Sequence, residues 1–230
     1  MRGEDGRRFL AEAAGTFVLV FAGCGSIVVD TISHGQVTHV GVSISFGLAI
    51  AVMIYAIGHI SGAHMNPSVT LAFALTRHFP FKRVPIYWIA QISGATLGAV
   101  ALRVLFGDVA QLGVTTPRIS DVRALGFEIV LTFVLMLVVM AVATDDRAVG
   151  QAAAIAIGAA VLLDAMFGGP ISGASMNPAR SFGPALVANV WKHYWVYVLG
   201  PFVGAAAGAF AYELFRGERP RPGSLAIADD

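Results

Sequence analysis

The chain has 230 residues, of which 57% are hydrophobic and 13% charged, with a mean hydropathy of +0.74. A water-soluble domain carries about 25% charged residues, so this composition offers too little polar surface to water and points to lipid as the solvent. A net charge of +1 gives no bulk attraction to nucleic acid, and a single cysteine, Cys24, excludes an internal disulfide.

Charge is missing in long runs: no Asp, Glu, Lys or Arg lies between Asp30 and Arg77. A spanning helix needs about 20 mainly apolar residues. Six segments qualify, at about 9–29, 40–59, 84–105, 124–143, 149–168 and 194–215. The first follows Arg7 and Arg8 and ends Val20-Phe21-Ala22-Gly23-Cys24, a pattern that also fits a cleaved signal or lipid attachment at Cys24. Glu12 interrupts that apolar run early, which argues for a retained span. Two shorter segments, about 67–76 and 178–188, cannot span, and each begins after an Asn-Pro pair. The expected organisation is a channel domain over 1–216 and a Pro-rich, charged, disordered tail over 217–230.

The basic residues orient the chain. Arg2, Arg7 and Arg8 precede the first span, Arg77, Lys82 and Arg83 follow the second, Arg147 follows the fourth, and Arg216, Arg219 and Arg221 follow the sixth. With six alternating helices these fall on one side, and the positive-inside rule puts both termini in the cytoplasm. The short loops suit a bacterial inner membrane.

The chain repeats itself. Ile60-Ser61-Gly62-Ala63-His64-Met65-Asn66-Pro67 returns as Ile171-Ser172-Gly173-Ala174-Ser175-Met176-Asn177-Pro178. Glu12 precedes Thr16-Phe17-Val18-Leu19 as Glu128 precedes Thr132-Phe133-Val134-Leu135, and Gly94 and Gly98 match Gly204 and Gly208. Three matches in one order at nearly one offset indicate a tandem duplication, with repeats over about 7–107 and 121–216. The segment at Glu128 is internal, so its kinship with the first segment supports keeping that one as a span. Each half holds three spans, so the second enters the membrane inverted, an arrangement that places a shared site near the midplane.

Asn is a strong N-cap and Pro suits the first helical position, so Asn66-Pro67 and Asn177-Pro178 each start a short helix. The preceding Ser-Gly-Ala stretch leaves its carbonyls unused, which a membrane tolerates only beside a watery cavity or inside protein. The inversion brings the two tips together, each with about half a positive charge. Both Asn amides then point to one spot as donors. The carbonyls of Gly62, Ala63 and His64, and of Gly173, Ala174 and Ser175, form a ladder of acceptors. That describes a single-file path for a neutral hydrogen-bonding molecule, one that repels cations and gives protons no continuous relay. The plainer alternative, a capped structural helix, competes well for one copy but poorly for two inverted ones.

On these motifs, Gly-His-Ile-Ser-Gly-Ala-His-Met-Asn-Pro-Ser at 58–68 and Ser-Gly-Ala-Ser-Met-Asn-Pro-Ala-Arg-Ser at 172–181, the sequence resembles the aquaporin family, or major intrinsic proteins, from about Phe9 to Phe215. The resemblance implies an all-α membrane fold of six transmembrane helices and two re-entrant half-helices. It also implies a homotetramer with one pore per subunit, and neither catalysis nor a cofactor nor a metal. The family usually has Asn-Pro-Ala twice. Here Ser68 replaces the first Ala, while Asn177, Pro178 and Ala179 keep the second; Ser68 lies beyond the cap and is expected to leave the pore geometry intact.

The resemblance also implies a four-residue constriction. Carried over by motif, these are Phe46, twenty before Asn66; Ala165, twelve before Asn177; Ala174, three before it; and Arg180. An Arg at bilayer depth is expensive and faces a polar cavity, where such a residue and the half-helix dipoles act as barriers. A purely structural Arg paired with carbonyls is the alternative. Water-strict members usually place His where this chain has Ala165. The expected filter is therefore wide and less polar, passing water and small uncharged solutes such as glycerol, urea, ammonia or undissociated metalloid acids. Ser181 after the Arg and Tyr194-Trp195 resemble the water-channel branch instead.

Glu12 and Glu128 lie within apolar spans, where an acid is a proton-relay candidate. Their matched positions favour support, and in the family such acids accept hydrogen bonds from the Asn-Pro loops. His59 and His64 are five apart, not the four that pairs ligands on a helix, so a metal site is not expected; His64 is expected to line the inner pore. Asp164, beside the filter position, either holds the second loop or tunes the vestibule. The glycine pairs let helices approach closely, and Phe- and Val-rich faces meet lipid. A secondary transporter shares inverted repeats and broken helices but needs central coupling carboxylates, where this chain has two neutral Asn. An enzyme is disfavoured because no Walker loop, His-Glu-x-x-His or nucleophile elbow is present. The expected roles are a passive water channel or, alternatively, a facilitator mainly of glycerol, urea or metalloid acids.

Overall fold

The computed structural model describes residues 3–144 and 152–217. Arg2, Arg147, Arg219, Arg221, the start of the fifth apolar segment and the expected tail from 218 onward lie outside these described residues.

The first span runs Gly3–Ile32 as α1 (Gly3–Val18), a π-helical turn (Leu19–Cys24) and α2 (Gly25–Ile32). It begins before the apolar run because Glu4 and Asp5 favour a helix N-terminus and Glu4 accepts a hydrogen bond from Arg8 one turn on. α3 (Thr38–Ser61), the half-helix α4 (Pro67–Leu75) and α5 (Val84–Phe106) complete the first half. The second half holds α6 (Asp121–Thr144), α7 (Ala153–Gly168), the half-helix α8 (Pro178–Ala188) and α9 (Val196–Phe215). Among the described residues there is no strand. Among the described residues five helical runs are long and apolar enough to cross a membrane, and α7, described over 16 residues, is a further apolar helix.

Glycines fix how the helices pack, and they do so twice in the same way. A Cβ on Gly94 would stand 2.1 Å from the Ala13 carbonyl oxygen, and one on Gly98 3.0 Å from that of Phe17. In the second half Gly204 meets the Ile129 carbonyl at 2.3 Å and Gly208 that of Phe133 at 2.5 Å. So α5 lies on α1, and α9 on α6, at backbone contact distance, the arrangement small residues permit in lipid. Between the halves, Gly47 of α3 and Gly158 of α7 face each other: a Cβ on either would stand 2.6 Å from the other's carbonyl oxygen. Large apolar side chains such as Leu48, Ile89, Leu97, Val130, Phe210 and Leu214 are exposed on the outside of the chain, which suits a hydrocarbon surround.

Candidate functional site

Each half-helix starts as its sequence requires. Asn66 has extended backbone, and its Oδ1 accepts from Ser68 N at 2.9 Å; Asn177 Oδ1 accepts from Ala179 N at 3.0 Å and Arg180 N at 3.3 Å. Pro67 and Pro178 follow as first helical residues. The loops before them share an unusual backbone. Gly62, Ala63 and Met65 have φ of 89°, 49° and 50°, and Gly173, Ala174 and Met176 have 94°, 43° and 53°. Left-handed conformation at non-glycine residues is costly and persists only when the surroundings impose it.

Two buried acids are hydrogen-bonded to these loops. Glu12 accepts from Ser61 Oγ (2.7 Å), His64 N (2.9 Å), Met65 N (2.7 Å) and Gln91 Nε2 (2.8 Å). Glu128 accepts from Ser172 Oγ (2.7 Å), Ser175 N (3.0 Å) and Met176 N (2.8 Å). Both acids are fully buried behind the loops rather than in the lumen. One tyrosine completes each cradle: Tyr87 Oη donates to Ser61 O and Tyr197 Oη to Ser172 O, each at 2.6 Å.

The tips meet, with a correction to the expected donor geometry. Asn66 Nδ2 donates to Met176 O and Asn177 Nδ2 to Met65 O, both at 2.8 Å. Each amide therefore spends one N–H on the opposite loop, and only the second is left uncommitted. The tips are close enough that the nearest acceptor is the partner loop's own unpaired carbonyl, which burial would otherwise leave unsatisfied. Ser68 is also more engaged than its place beyond the cap implies. Its Oγ donates to Asn66 Oδ1 at 2.7 Å and lies 3.5 Å from Met176 O.

Two cavities share part of their lining. One, of about 130 Å³, is lined by Asn66, Asn177, Gly62, Ala63, His64, Ala174 and Ser175 together with apolar residues of α3, α6 and α7. The other, of about 480 Å³, is lined by Asp30, His39, Thr115, Arg118 and Gly173, among others. Phe46, Ala165, Ala174 and Arg180 line both. Pro67, Ser68, Pro178 and Ala179 are buried behind the tips. Arg180 is 4% exposed, its Nη1 donates to Gly113 O at 2.9 Å, and its guanidinium carbon lies 4.8 Å from the centre of the Phe46 ring. Gly113 ends a left-handed turn in which Ala110, Gln111 and Leu112 all have positive φ, and this turn brings the carbonyl to Arg180.

His64 lines the first cavity, packs within 5.1 Å of the rings of Phe73, Phe79 and Tyr87, and has Nδ1 3.1 Å from Thr70 Oγ1. Asp164 is buried and its Oδ2 has no hydrogen-bond partner among the described residues. Sequence reasoning passed over Tyr87, Tyr197, Gln91 and Thr115. Thr115 Oγ1 lies 2.8 Å from Ser181 Oγ, which lies 2.6 Å from Ser175 Oγ, tying the connection between the halves to the second loop. The offset of 110 that pairs Gly94 with Gly204 also pairs Tyr87 with Tyr197, and that signal was available.

The chain is similar to known proteins over most of its length. The model of the family described as Major intrinsic protein matches residues 3–212. The chain is 52% identical over 211 residues to Aquaporin NIP1-1 of Oryza sativa subsp. japonica, covering 91% of this chain and 74% of that protein. It is 49% identical to Nodulin-26 of Glycine max, covering 91% and 78%. Among solved structures, the aquaglyceroporin from Plasmodium falciparum superposes with a TM-score of 0.83 at 25% identity, covering 91% of this chain and 96% of that one. With its apolar helices, its paired half-helices and this agreement over nearly its whole length, the chain is a multi-pass membrane protein of the major intrinsic protein family, the aquaporins.

Proposed function

We propose that the chain is a passive channel for water and small uncharged solutes, with Phe46, Ala165, Ala174 and Arg180 as its selectivity filter. The observation that carries the assignment is that these four residues form the shared wall of the two cavities, so whatever moves between the cavities passes them. Two of the four are alanines, which leaves the constriction without the bulk or the extra donor of a ring. Arg180 supplies donors and a fixed positive charge. At the tips, the positive half-helix ends and the remaining N–H of each Asn oppose cations and orient the permeant's oxygen. The chain is a transport protein, not an enzyme. The relatives' names, aquaporin and aquaglyceroporin, support both water and glycerol-sized solutes as cargo.

Support for the loops is the role proposed for Glu12 and Glu128, because every hydrogen bond described for their carboxylates comes from a loop or from Gln91. We further propose a channel domain over 1–216 built of two inverted repeats, a homotetramer in lipid with one pore per subunit, and both termini in the cytoplasm. The clustering of Arg7, Arg8, Arg77, Lys82, Arg83 and Arg216 on one side of an alternating topology supports that orientation. The short loops suit a bacterial inner membrane and the relatives above are plant proteins, so the location proposed is a membrane bordering the cytoplasm.

The test is swelling and shrinkage of proteoliposomes under water, glycerol and urea gradients. Water flux together with linear, non-saturating glycerol or urea flux is expected. Water flux with complete solute rejection would overturn the wide filter. Saturable flux driven by a proton or sodium gradient would overturn the channel.

A further inference from the structure

The Phe46 ring leans on a gap in the first span. Gly23 is buried in the π-helical turn Leu19–Cys24. A Cβ built on Gly23 would stand 2.3 Å from Phe46 Cε1, 2.4 Å from Cδ1 and 2.8 Å from Cζ. The ring edge therefore rests on bare backbone. The Arg180 guanidinium carbon sits 4.8 Å from the ring's centre, and the ring lines both cavities. Phe46 is thus backed by the first span and open toward the lumen, so the lumen is the free direction for any displacement. The π-turn contributes by its geometry: an extra residue per turn locally widens and re-aims a helix, a device found often at functional sites.

We propose that Gly23, which is not among the four filter residues, is a specificity-determining residue. The missing side chain lets Phe46 recede into the first span, and that recess sets how wide the constriction stands. Even a methyl group at 23 moves the ring by about 1.1–1.7 Å, the difference between 2.3 Å and an ordinary carbon–carbon contact of about 3.4–4 Å. The recess then closes and the gap opposite Ala165 and Ala174 narrows. Water, the smallest permeant, is affected least, and glycerol and urea most. The proposal rests on the wide-filter assignment above and adds the residue that holds the filter open.

The experiment compares wild type, Gly23→Ala, Phe46→Val and the double variant in proteoliposomes, reading water and glycerol permeability on the same vesicles. Gly23→Ala is expected to lower the glycerol-to-water ratio by about tenfold, the scale of discrimination one methylene-sized change gives in a tight site. With the ring removed, position 23 has nothing to push, so Phe46→Val and the double variant are expected to share one ratio. An unchanged ratio in Gly23→Ala overturns the proposal and leaves the wide filter standing. A double variant that differs from Phe46→Val also overturns it, and that pair decides the matter if Gly23→Ala alone does not fold. If wild type rejects glycerol, the wide filter fails and the comparison moves to water flux: reduced flux in Gly23→Ala with equal flux in the other pair supports the role of Gly23, and equal flux in wild type and Gly23→Ala removes it.

Discussion

Asn66 donates from Nδ2 to the carbonyl oxygen of Met176 at 2.8 Å, and Asn177 returns the same bond to Met65. Each Asn therefore does two things at one atom group, with Oδ1 capping its own half-helix and one N–H bonding the opposite loop, and the other N–H is the donor proposed above for the permeant. An aspartate at either position keeps the cap and loses both donors. Asn66→Asp is expected to leave the buried Met176 carbonyl with only the long 3.5 Å contact from Ser68 Oγ, at a cost of about 1–3 kcal/mol. It also puts an acceptor where the permeant met a donor. Thermal unfolding in detergent should show the lower stability, and proteoliposomes should show reduced water flux. A variant with wild-type stability would mean that the crossed amides do not hold the tips together.

What the sequence made legible was the chemistry of short motifs and the most conspicuous of the repeated residues. Asn-Pro is a helix start by its own chemistry, and the matched Glu12 and Glu128 stood out because charge inside an apolar span is rare. What stayed hidden required two distant segments to dock. Nothing near Asn66 announces Met176, and the crossed bonds arise only when the inverted halves meet. Tyr87 and Tyr197 look like ordinary core aromatics until each hydroxyl is seen on a loop carbonyl. Gln91 has no counterpart at all, since Pro201 stands at the matched position. The π-turn over Leu19–Cys24 leaves no mark in composition, and only the structure exposes the recess at Gly23.

The two acid cradles differ by that one donor. Glu12 accepts four side-chain or backbone hydrogen bonds and Glu128 three. A glutamine keeps one acceptor oxygen and turns an N–H₂ toward the donors that the other oxygen served. For Glu12 those donors are Met65 N and Gln91 Nε2, or Ser61 Oγ and His64 N if the amide is flipped. We expect Glu12→Gln to lower stability by about 3 kcal/mol and Glu128→Gln by less, because charge-assisted bonds are worth about 1.5–3 kcal/mol each when buried. The comparison is of unfolding midpoints in one detergent. Retained stability with loss of a proton current in Glu12→Gln would mark the acid as a relay instead of a support.

Arg180 is held at two points, by Gly113 O at 2.9 Å and by the Phe46 face at 4.8 Å. Lysine keeps the charge but has neither the planar fork nor the stacking surface. Arg180→Lys is therefore expected to retain cation exclusion with altered solute ratios, and Arg180→Ala to admit ammonium or protons. Both are read as ion leak across proteoliposomes held at a fixed potential. Equal, negligible leak in wild type and Arg180→Ala would remove the arginine from the barrier.

Ala165 contributes a methyl group to the wall between the cavities. Replacing it with histidine adds a ring and a donor to the same wall. Ala165→His is expected to cut glycerol and urea flux by about tenfold or more while water flux falls less, since excluding a larger solute by bulk is worth about 1–3 kcal/mol per methylene-scale change. Stopped-flow light scattering on one vesicle preparation measures both. Parallel loss of water and solute would show that the narrowest point lies elsewhere.

Gly47 and Gly158 test the frame that carries the filter. Gly47 follows Phe46 directly on α3, and Gly158 lies on α7, the helix of Ala165. A methyl on Gly47 would stand 2.6 Å from the Gly158 carbonyl oxygen and 2.7 Å from Leu162 Cβ. Neither obstacle is the far end of a flexible side chain, so the helices themselves must separate. Overpacking of this kind costs about 1–3 kcal/mol. Gly58→Ala on the same helix is the control, because its methyl would find only Ile54 Cγ2 at 3.7 Å, an ordinary contact. Gly47→Ala should unfold at a lower temperature than Gly58→Ala. Its solute-to-water ratio should rise, because moving α3 from α7 draws Phe46 away from Ala165. That is opposite in sign to the narrowing expected of Gly23→Ala, although both substitutions add one methyl group beside Phe46. If the two glycine variants shifted the ratio in the same direction, Phe46 would not be the moving wall.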